Sequence, residues 1–122
     1  MYQLTIESTF AAAHNLRGYD GACERLHGHN WRVELKVAAE TLNPIGIAVD
    51  FKTLKTETDR LLDRLDHMYL NEIPPFDREN PSSENLARFI YEELSRVLND
   101  GNVKVTSVKV WESERAAAEY FE

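Results

Sequence analysis

The chain crowds its reactive residues. Cys23-Glu24-Arg25-Leu26-His27-Gly28-His29 holds the one cysteine and two of the four histidines in 122 residues. His27 and His29 are two apart, so on a strand their side chains leave the same face. They share parity with Trp31 and Val33, which read as the dry face of that strand. His14 shares parity with Ile6 and Phe10, the dry face of an earlier strand. If the two strands are neighbours, three imidazoles converge at one end of a sheet. Three neutral imidazoles suit Zn²⁺, and such a site leaves the fourth tetrahedral position open for water or substrate. Gly28 is expected to let the backbone turn tightly between the two ligands. The alternative is a core histidine at His14 and an ordinary polar turn at 27–29.

Other residues qualify this chemistry. Arg25 and a nearby metal would favour the Cys23 thiolate, while Glu24 would oppose it. Cys23 is therefore a candidate catalytic group, or a fourth ligand closing a structural site. Asp66-His67 follows a helical pattern. It reads either as a histidine favoured by a helix C-terminus or as a general acid–base pair. Glu112 continues the parity of Val108 and Val110, so a carboxylate sits where an apolar residue is expected. Either it anchors a ligand through two parallel N–H bonds or it ends a strand in solvent. Ser82-Ser83-Glu84 reads as a helix cap whose free N–H groups could also hold a ligand. Arg17, Arg25 and Lys52 are candidate partners for phosphate.

The elements that must position these residues follow from periodicity. Leu4, Ile6, Ser8 and Phe10 alternate with polar residues, giving a strand to about Ala13. Trp31, Val33, Leu35 and Val37 alternate with Asn30, Arg32, Glu34 and Lys36 in a second strand. Ile47-Ala48-Val49 extends the pairing briefly after a turn at Asn43-Pro44-Ile45-Gly46. Asp50 caps a helix that buries Phe51, Leu54, Thr58, Leu61, Leu62 and Leu65. Ser82 or Ser83 caps a second helix with Leu86, Phe89, Ile90, Leu94, Val97 and Leu98 on its buried stripe. Asn99-Asp100-Gly101 ends it. Val103 and Val105 are odd but Val108 and Val110 even, which predicts a bulge near Thr106-Ser107. A last strand covers about Ala117 to Phe121. The order β-β-α-α-β-β implies an α+β fold, one domain over 1–122, with both helices on one face of a four-stranded antiparallel sheet.

Composition limits the function classes. A net charge of −7 argues against nucleic acid as the main partner. No apolar run reaches the roughly 20 residues that span a bilayer. The first residues carry no basic region followed by an apolar core, so no signal peptide is expected. A single cysteine forms no internal disulfide, and a cytoplasmic location is expected. From the residues alone two other classes stay open. One is a metal-free thiol hydrolase using Cys23 and His67. The other is a non-catalytic zinc-binding module with Cys23 as its fourth ligand.

Taken in order, Phe10-Ala11-Ala12-Ala13-His14, Cys23-x3-His27-Gly28-His29, Asp50-Phe51, Leu65-Asp66-His67-x2-Leu70-Asn71, Asn80-Pro81-Ser82-Ser83-Glu84-Asn85 and Glu112-Ser113 span nearly the whole chain. The series resembles the 6-pyruvoyl-tetrahydropterin synthase family. The three-residue gap between Cys23 and His27 looks like its 6-carboxy-tetrahydropterin synthase branch. The resemblance implies a tunnelling fold whose sheets join edge to edge between subunits, as a homo-oligomer, a hexamer of two trimers. It implies His14, His27 and His29 as zinc ligands and Cys23, Asp66 and His67 as the catalytic groups. It implies Glu112 as the pterin anchor and Ser82, Ser83 and Glu84 as a pterin-contacting turn. Ser82 stands where threonine is commoner, and the hydroxyl is kept. The implied reaction converts 7,8-dihydroneopterin triphosphate to 6-carboxy-5,6,7,8-tetrahydropterin, releasing acetaldehyde and triphosphate, for 7-deazaguanine and queuosine synthesis. The implied alternative is 6-pyruvoyl-tetrahydropterin formation.

Overall fold

Two long strands carry the histidines. In the computed structural model, which describes residues 1–19, 21 and 24–122, β1 runs Tyr2–His14 and β2 runs His27–Ala39. They pair antiparallel over their whole length, with Phe10 opposite Trp31 and His14 opposite His27. Helix α1 covers Phe51–Leu62, followed by a two-residue strand β3, Met68–Tyr69, and a 3-10 turn at Leu70–Glu72. Helix α2 covers Ser83–Leu98, and β4 (Val103–Ser113) and β5 (Ala116–Phe121) complete the chain. The spatial order is β3-β1-β2-β4-β5. The architecture is α+β as expected, but the sheet has five strands, not four. The fifth is β3, which lies parallel to β1 with Ala12 opposite Met68 and Ala13 opposite Tyr69. Two residues show no alternation, so periodicity cannot reveal such a strand.

One face of the sheet is dry because its strands alternate. Trp31, Val33, Leu35 and Val37 of β2 are all fully buried, as are Val105, Val108 and Val110 of β4. Leu54, Leu61 and Leu62 of α1 and Leu86, Ile90 and Leu94 of α2 close over them. Each such side chain contributes about 1.5–3 kcal/mol relative to exposure. Helix α1 lies against β1, and α2 against β4 and β5.

The bulge falls where the valine parity changes. Lys36 pairs with Ser107 and Val37 with Val105, leaving Thr106 as the extra residue. Asp50 caps α1 by accepting from Lys52 N, and Ser82 caps α2 by accepting from Asn85 N. Gly101 takes the left-handed conformation at φ +96°, two residues beyond the Asn99 cap. Three details differ from expectation. Ile47-Ala48-Val49 is not a strand: Asn43 folds that segment into a turn, its Oδ1 accepting from Ile45 N and Ile47 N. Phe51 and Val97 are each 58% exposed. Both sit at helix ends, where the buried stripe turns away from the sheet.

Candidate metal centre and acid–base pair

The paired ends of β1 and β2 deliver three imidazoles to one point. His14, His27 and His29 each offer a ring nitrogen, Glu112 offers a carboxylate oxygen, and these atoms lie within 4.8 Å of one another. The ring centroids are 4.5 Å apart for His14 and His27, 5.1 Å for His14 and His29, and 4.8 Å for His27 and His29. Trp31 floors the cluster, edge-on to His14 at 4.9 Å and His29 at 5.0 Å. Its own N–H donates to the Ala12 carbonyl, so the indole is fixed from below. Gly28 does not make a turn between the ligands. It lies inside β2 opposite Ala13, outside the positive-φ region, and a Cβ there would meet the Ala12 carbonyl at an ordinary 3.8 Å.

The hydrogen bonds select which nitrogens face the centre. His14 Nδ1–H donates to the Pro81 carbonyl at 2.7 Å, and His27 Nδ1–H donates to the Arg25 carbonyl at 2.7 Å. A carbonyl can only accept, so in both rings the lone pair of the neutral form is on Nε2. The Nε2 atoms of His14 and His29 are buried and make no hydrogen bond of acceptable geometry among the described residues. Such buried orphans call for an explanation, and a metal ion supplies one. Burial, ahead of all other influences, holds the pKa of both His14 and His29 below the ordinary 6.5, so both are neutral at pH 7. Neutral imidazoles are the form a metal binds. Three nitrogens and an oxygen at this spacing fit Zn²⁺.

Glu112 belongs to this cluster more closely than its parity alone suggests. Its Oε1 lies 2.9 Å from His29 Nε2 and 3.4 Å from His14 Nε2. It also falls at a second irregularity: Trp111 pairs with Ala117 and Ser113 with Ala116, so Glu112 has no partner on β5. It nonetheless keeps the face of Val108 and Val110, on which the histidines stand. The carboxylate stays about one-third exposed, open to a ligand on its outer side.

Asp66 and His67 do touch. Asp66 Oδ2 is 2.9 Å from His67 Nδ1, and Asp66 Oδ1 accepts from Ala11 N at 2.9 Å. The Ala11 N–H, then His67, hold the Asp66 carboxyl below its ordinary pKa. His67 N donates to the Ala11 carbonyl, and His67 adopts φ +58°, unusual for a residue with a Cβ. The pair is therefore pinned to β1 at Ala11 while its imidazole is 82% exposed. His67 lines an open cleft of about 520 Å³ together with Ala11, Ala13, His29, Asn30 and Tyr69. Neither Asp66 nor His67 is in the histidine cluster. Cys23 lies outside the described residues.

Of the other residues singled out, Ser82 caps α2 and leads directly from Pro81, whose carbonyl holds His14. Ser83 and Glu84 form the first turn of that helix. Arg17 is not a free cation: its guanidinium donates to the carbonyls of Phe76, Asn71 and Glu79. The sequence offered no signal for the Pro81 carbonyl, because an acceptor in the main chain is independent of residue type.

Comparison with known proteins agrees over the whole chain. Residues 3–122 match the family model described as 6-pyruvoyl tetrahydropterin synthase. A 6-carboxy-5,6,7,8-tetrahydropterin synthase of Synechocystis is 37% identical, over 99% of this chain and 94% of that protein. One of Bacillus subtilis is 31% identical, over 93% of this chain and 79% of that protein. The solved structure of Caenorhabditis elegans 6-pyruvoyl tetrahydropterin synthase superposes with a TM-score of 0.82 at 27% identity, covering 100% of this chain and 97% of that one. A match this complete, on a chain whose paired strands gather the three histidines, means that it belongs to the 6-pyruvoyl tetrahydropterin synthase family.

Proposed function

We propose that this chain is a zinc-dependent lyase acting as a 6-carboxy-5,6,7,8-tetrahydropterin synthase. The observation that carries the proposal is the cluster of three imidazoles with two orphaned, buried Nε2 atoms. The relatives named for the 6-carboxy product, up to 37% identical, support the choice of branch, as does the gap between Cys23 and His27. The substrate would be 7,8-dihydroneopterin triphosphate. Triphosphate leaves, one water is consumed, and a carbon–carbon bond breaks to give acetaldehyde and 6-carboxy-tetrahydropterin, which feeds 7-deazaguanine and queuosine synthesis.

His14, His27 and His29 would hold Zn²⁺, which supplies Lewis-acid polarisation of the substrate's side-chain hydroxyls. The Cys23 thiolate takes a proton as general base rather than attacking as a nucleophile. His67 moves protons at its exposed ring nitrogen, while Asp66 holds its Nδ1. Glu112 accepts from the pterin 2-amino and N3–H groups through the side of its carboxylate that faces away from the histidines. Ser82, Ser83 and Glu84 meet the same ring from the start of α2.

The chain would work as one tunnelling-fold domain in a cytoplasmic homo-oligomer, a hexamer of two trimers. Two free edges support assembly. Among the described residues β5 pairs with a strand on one side only, and β1 has no strand partner on its outer side from Tyr2 to Phe10. No helix of the described residues is long and apolar enough to cross a membrane.

The test is to incubate zinc-loaded protein with dihydroneopterin triphosphate and follow acetaldehyde. Triphosphate release without acetaldehyde would assign the pyruvoyl product instead. No reaction by folded, metal-loaded protein would overturn the proposal. Cys23→Ala is expected to keep zinc and pterin binding and lose turnover. Loss of zinc from that variant would make Cys23 a ligand instead.

A further inference from the structure

The two ordered imidazole tautomers are held in different ways. His27 finds its carbonyl two residues back, at Arg25, within its own loop. His14 finds its carbonyl at Pro81, which is 67 positions away in the chain. Something must bring Pro81 there.

Two asparagines and an arginine do so. The Asn71 side chain accepts from Asn15 N at 2.9 Å and donates to Asn15 O at 2.9 Å. The Asn80 side chain accepts from Arg17 N at 2.9 Å and donates to Arg17 O at 2.9 Å. Each amide thus stands in for a paired strand against the segment leaving β1. Arg17 reciprocates. Its guanidinium donates to Phe76 O at 2.7 Å, Asn71 O at 3.2 Å and Glu79 O at 3.4 Å. Asn85 Nδ2 donates to Asn80 O at 2.9 Å, tying the segment to the first turn of α2. Pro81 lies in this tied stretch, between Asn80 and the helix cap Ser82.

We propose that Arg17, Asn71 and Asn80 are positioning residues that set the tautomer of His14, and through it the affinity of the centre for metal. The chemistry is that of an outer-shell hydrogen bond. A neutral imidazole has two tautomers, and a carbonyl on Nδ1–H leaves the Nε2 lone pair for the ion. Without the clamp the Pro81 carbonyl drifts, and His14 divides between a binding and a non-binding form. Arg17 is therefore employed in the protein rather than on a substrate phosphate. This inference rests on the proposed metal role of the three histidines.

The experiment measures two things on Arg17→Ala, Arg17→Lys and Asn80→Ser: zinc affinity by chelator competition, and the ring ¹⁵N shifts of the histidines in zinc-free protein. Arg17→Ala is expected to weaken zinc about 10–100-fold, the range for loss of an outer-shell partner. It is also expected to shift the His14 ring towards mixed tautomers while His27 stays as it is. Arg17→Lys keeps one charged nitrogen in place of the two that Arg17 uses, and recovers part of both effects. Asn80→Ser carries the same expectation if Arg17→Ala does not fold. Folded variants with the wild-type zinc affinity and the wild-type His14 ring would overturn the inference. If wild-type protein binds no zinc, the metal role falls, and the ring shifts still decide whether the clamp sets the tautomer.

Discussion

Replacing His14 with Phe separates the metal from the fold. His14 is 1% exposed, so a ring of similar size keeps the packing against Trp31. In zinc-free protein two effects oppose each other. The buried Nε2 orphan disappears, which relieves about 1–3 kcal/mol, and the Pro81 carbonyl loses its donor, which costs about the same. The net change should stay within about 2 kcal/mol. Zinc adds to wild-type stability by mass action, about 2.7 kcal/mol at a hundredfold excess over Kd. With about 2.1 cal/mol/K of unfolding entropy per residue, 122 residues lose about 0.26 kcal/mol per degree. Wild-type Tm should therefore rise by about 10 °C between chelator and that zinc concentration. For His14→Phe the rise should fall below about 2 °C, while the chelated Tm stays within about 8 °C of wild type. The assay is thermal unfolding with zinc or chelator, paired with metal content after dialysis. A variant that keeps the full zinc increment would show that His14 is not a ligand. A wild type with no increment at any zinc concentration would remove the metal site altogether.

Acid should destabilise the zinc-free protein, because burial holds the pKa of His14 and His29 below 6.5. The unfolded chain then binds more protons, so stability is complete above about pH 6.5 and falls as pH drops towards the folded values, by at most about 1.4 kcal/mol per pH unit for each histidine. Urea unfolding at pH 7.5 and 5.5 measures this, and a flat profile, or one unchanged in His14→Phe, would contradict it. In Asp66→Asn the remaining side-chain oxygen is held by the Ala11 N–H, so an NH2 donor replaces the oxygen that faces His67 Nδ1. Turnover should drop by about 10²–10⁴-fold with zinc content unchanged, and turnover within a few fold of wild type would exclude the pair from proton transfer. Leu65→Ala, at a fully buried position just before that pair, should cost about 2–5 kcal/mol in chemical denaturation. A cost below about 1 kcal/mol would mean that the cavity collapses.

The centre was legible because strand parity survives in sequence. His14, His27 and His29 share the faces of Phe10 and Trp31, and pairing β1 with β2 was enough to bring them together. The bulge was legible for the same reason, as a phase change among valines. Other contributions have no residue-type signature. The Pro81 carbonyl is main chain. Parity puts Glu112 on the face of Val108 and Val110, but the 2.9 Å approach of its carboxylate to His29 depends on the pairing of β2 with β4, which the residue types do not encode. β3 is too short for a period, although it sets where Asp66 and His67 stand beside Ala11. Phe51 was misplaced because a helical stripe drifts out of the core at its ends, so a hydrophobic residue in register need not be covered.

The extra residue at Thr106 makes β4 a strand in two phases. Before it the odd residues Val103 and Val105 face the helices, and after it the even ones, Val108 and Val110, with Glu112 continuing the series to the histidines. Exchanging the Thr106 side chain alters two hydroxyl hydrogen bonds, one donated to the Lys36 carbonyl and one accepted from Gln3 Nε2. Deleting the residue would leave Val105 opposite Val37 and Ser107 opposite Lys36, so Val108, Val110 and Glu112 would keep their faces. Drawing Thr106 into the ladder, or adding one more paired residue, would send Trp111 inward and Glu112 to the opposite side of the sheet. Homologues that keep the centre should tolerate many side chains at this point, and even the loss of the bulged residue, but not one more paired residue between Val105 and Glu112.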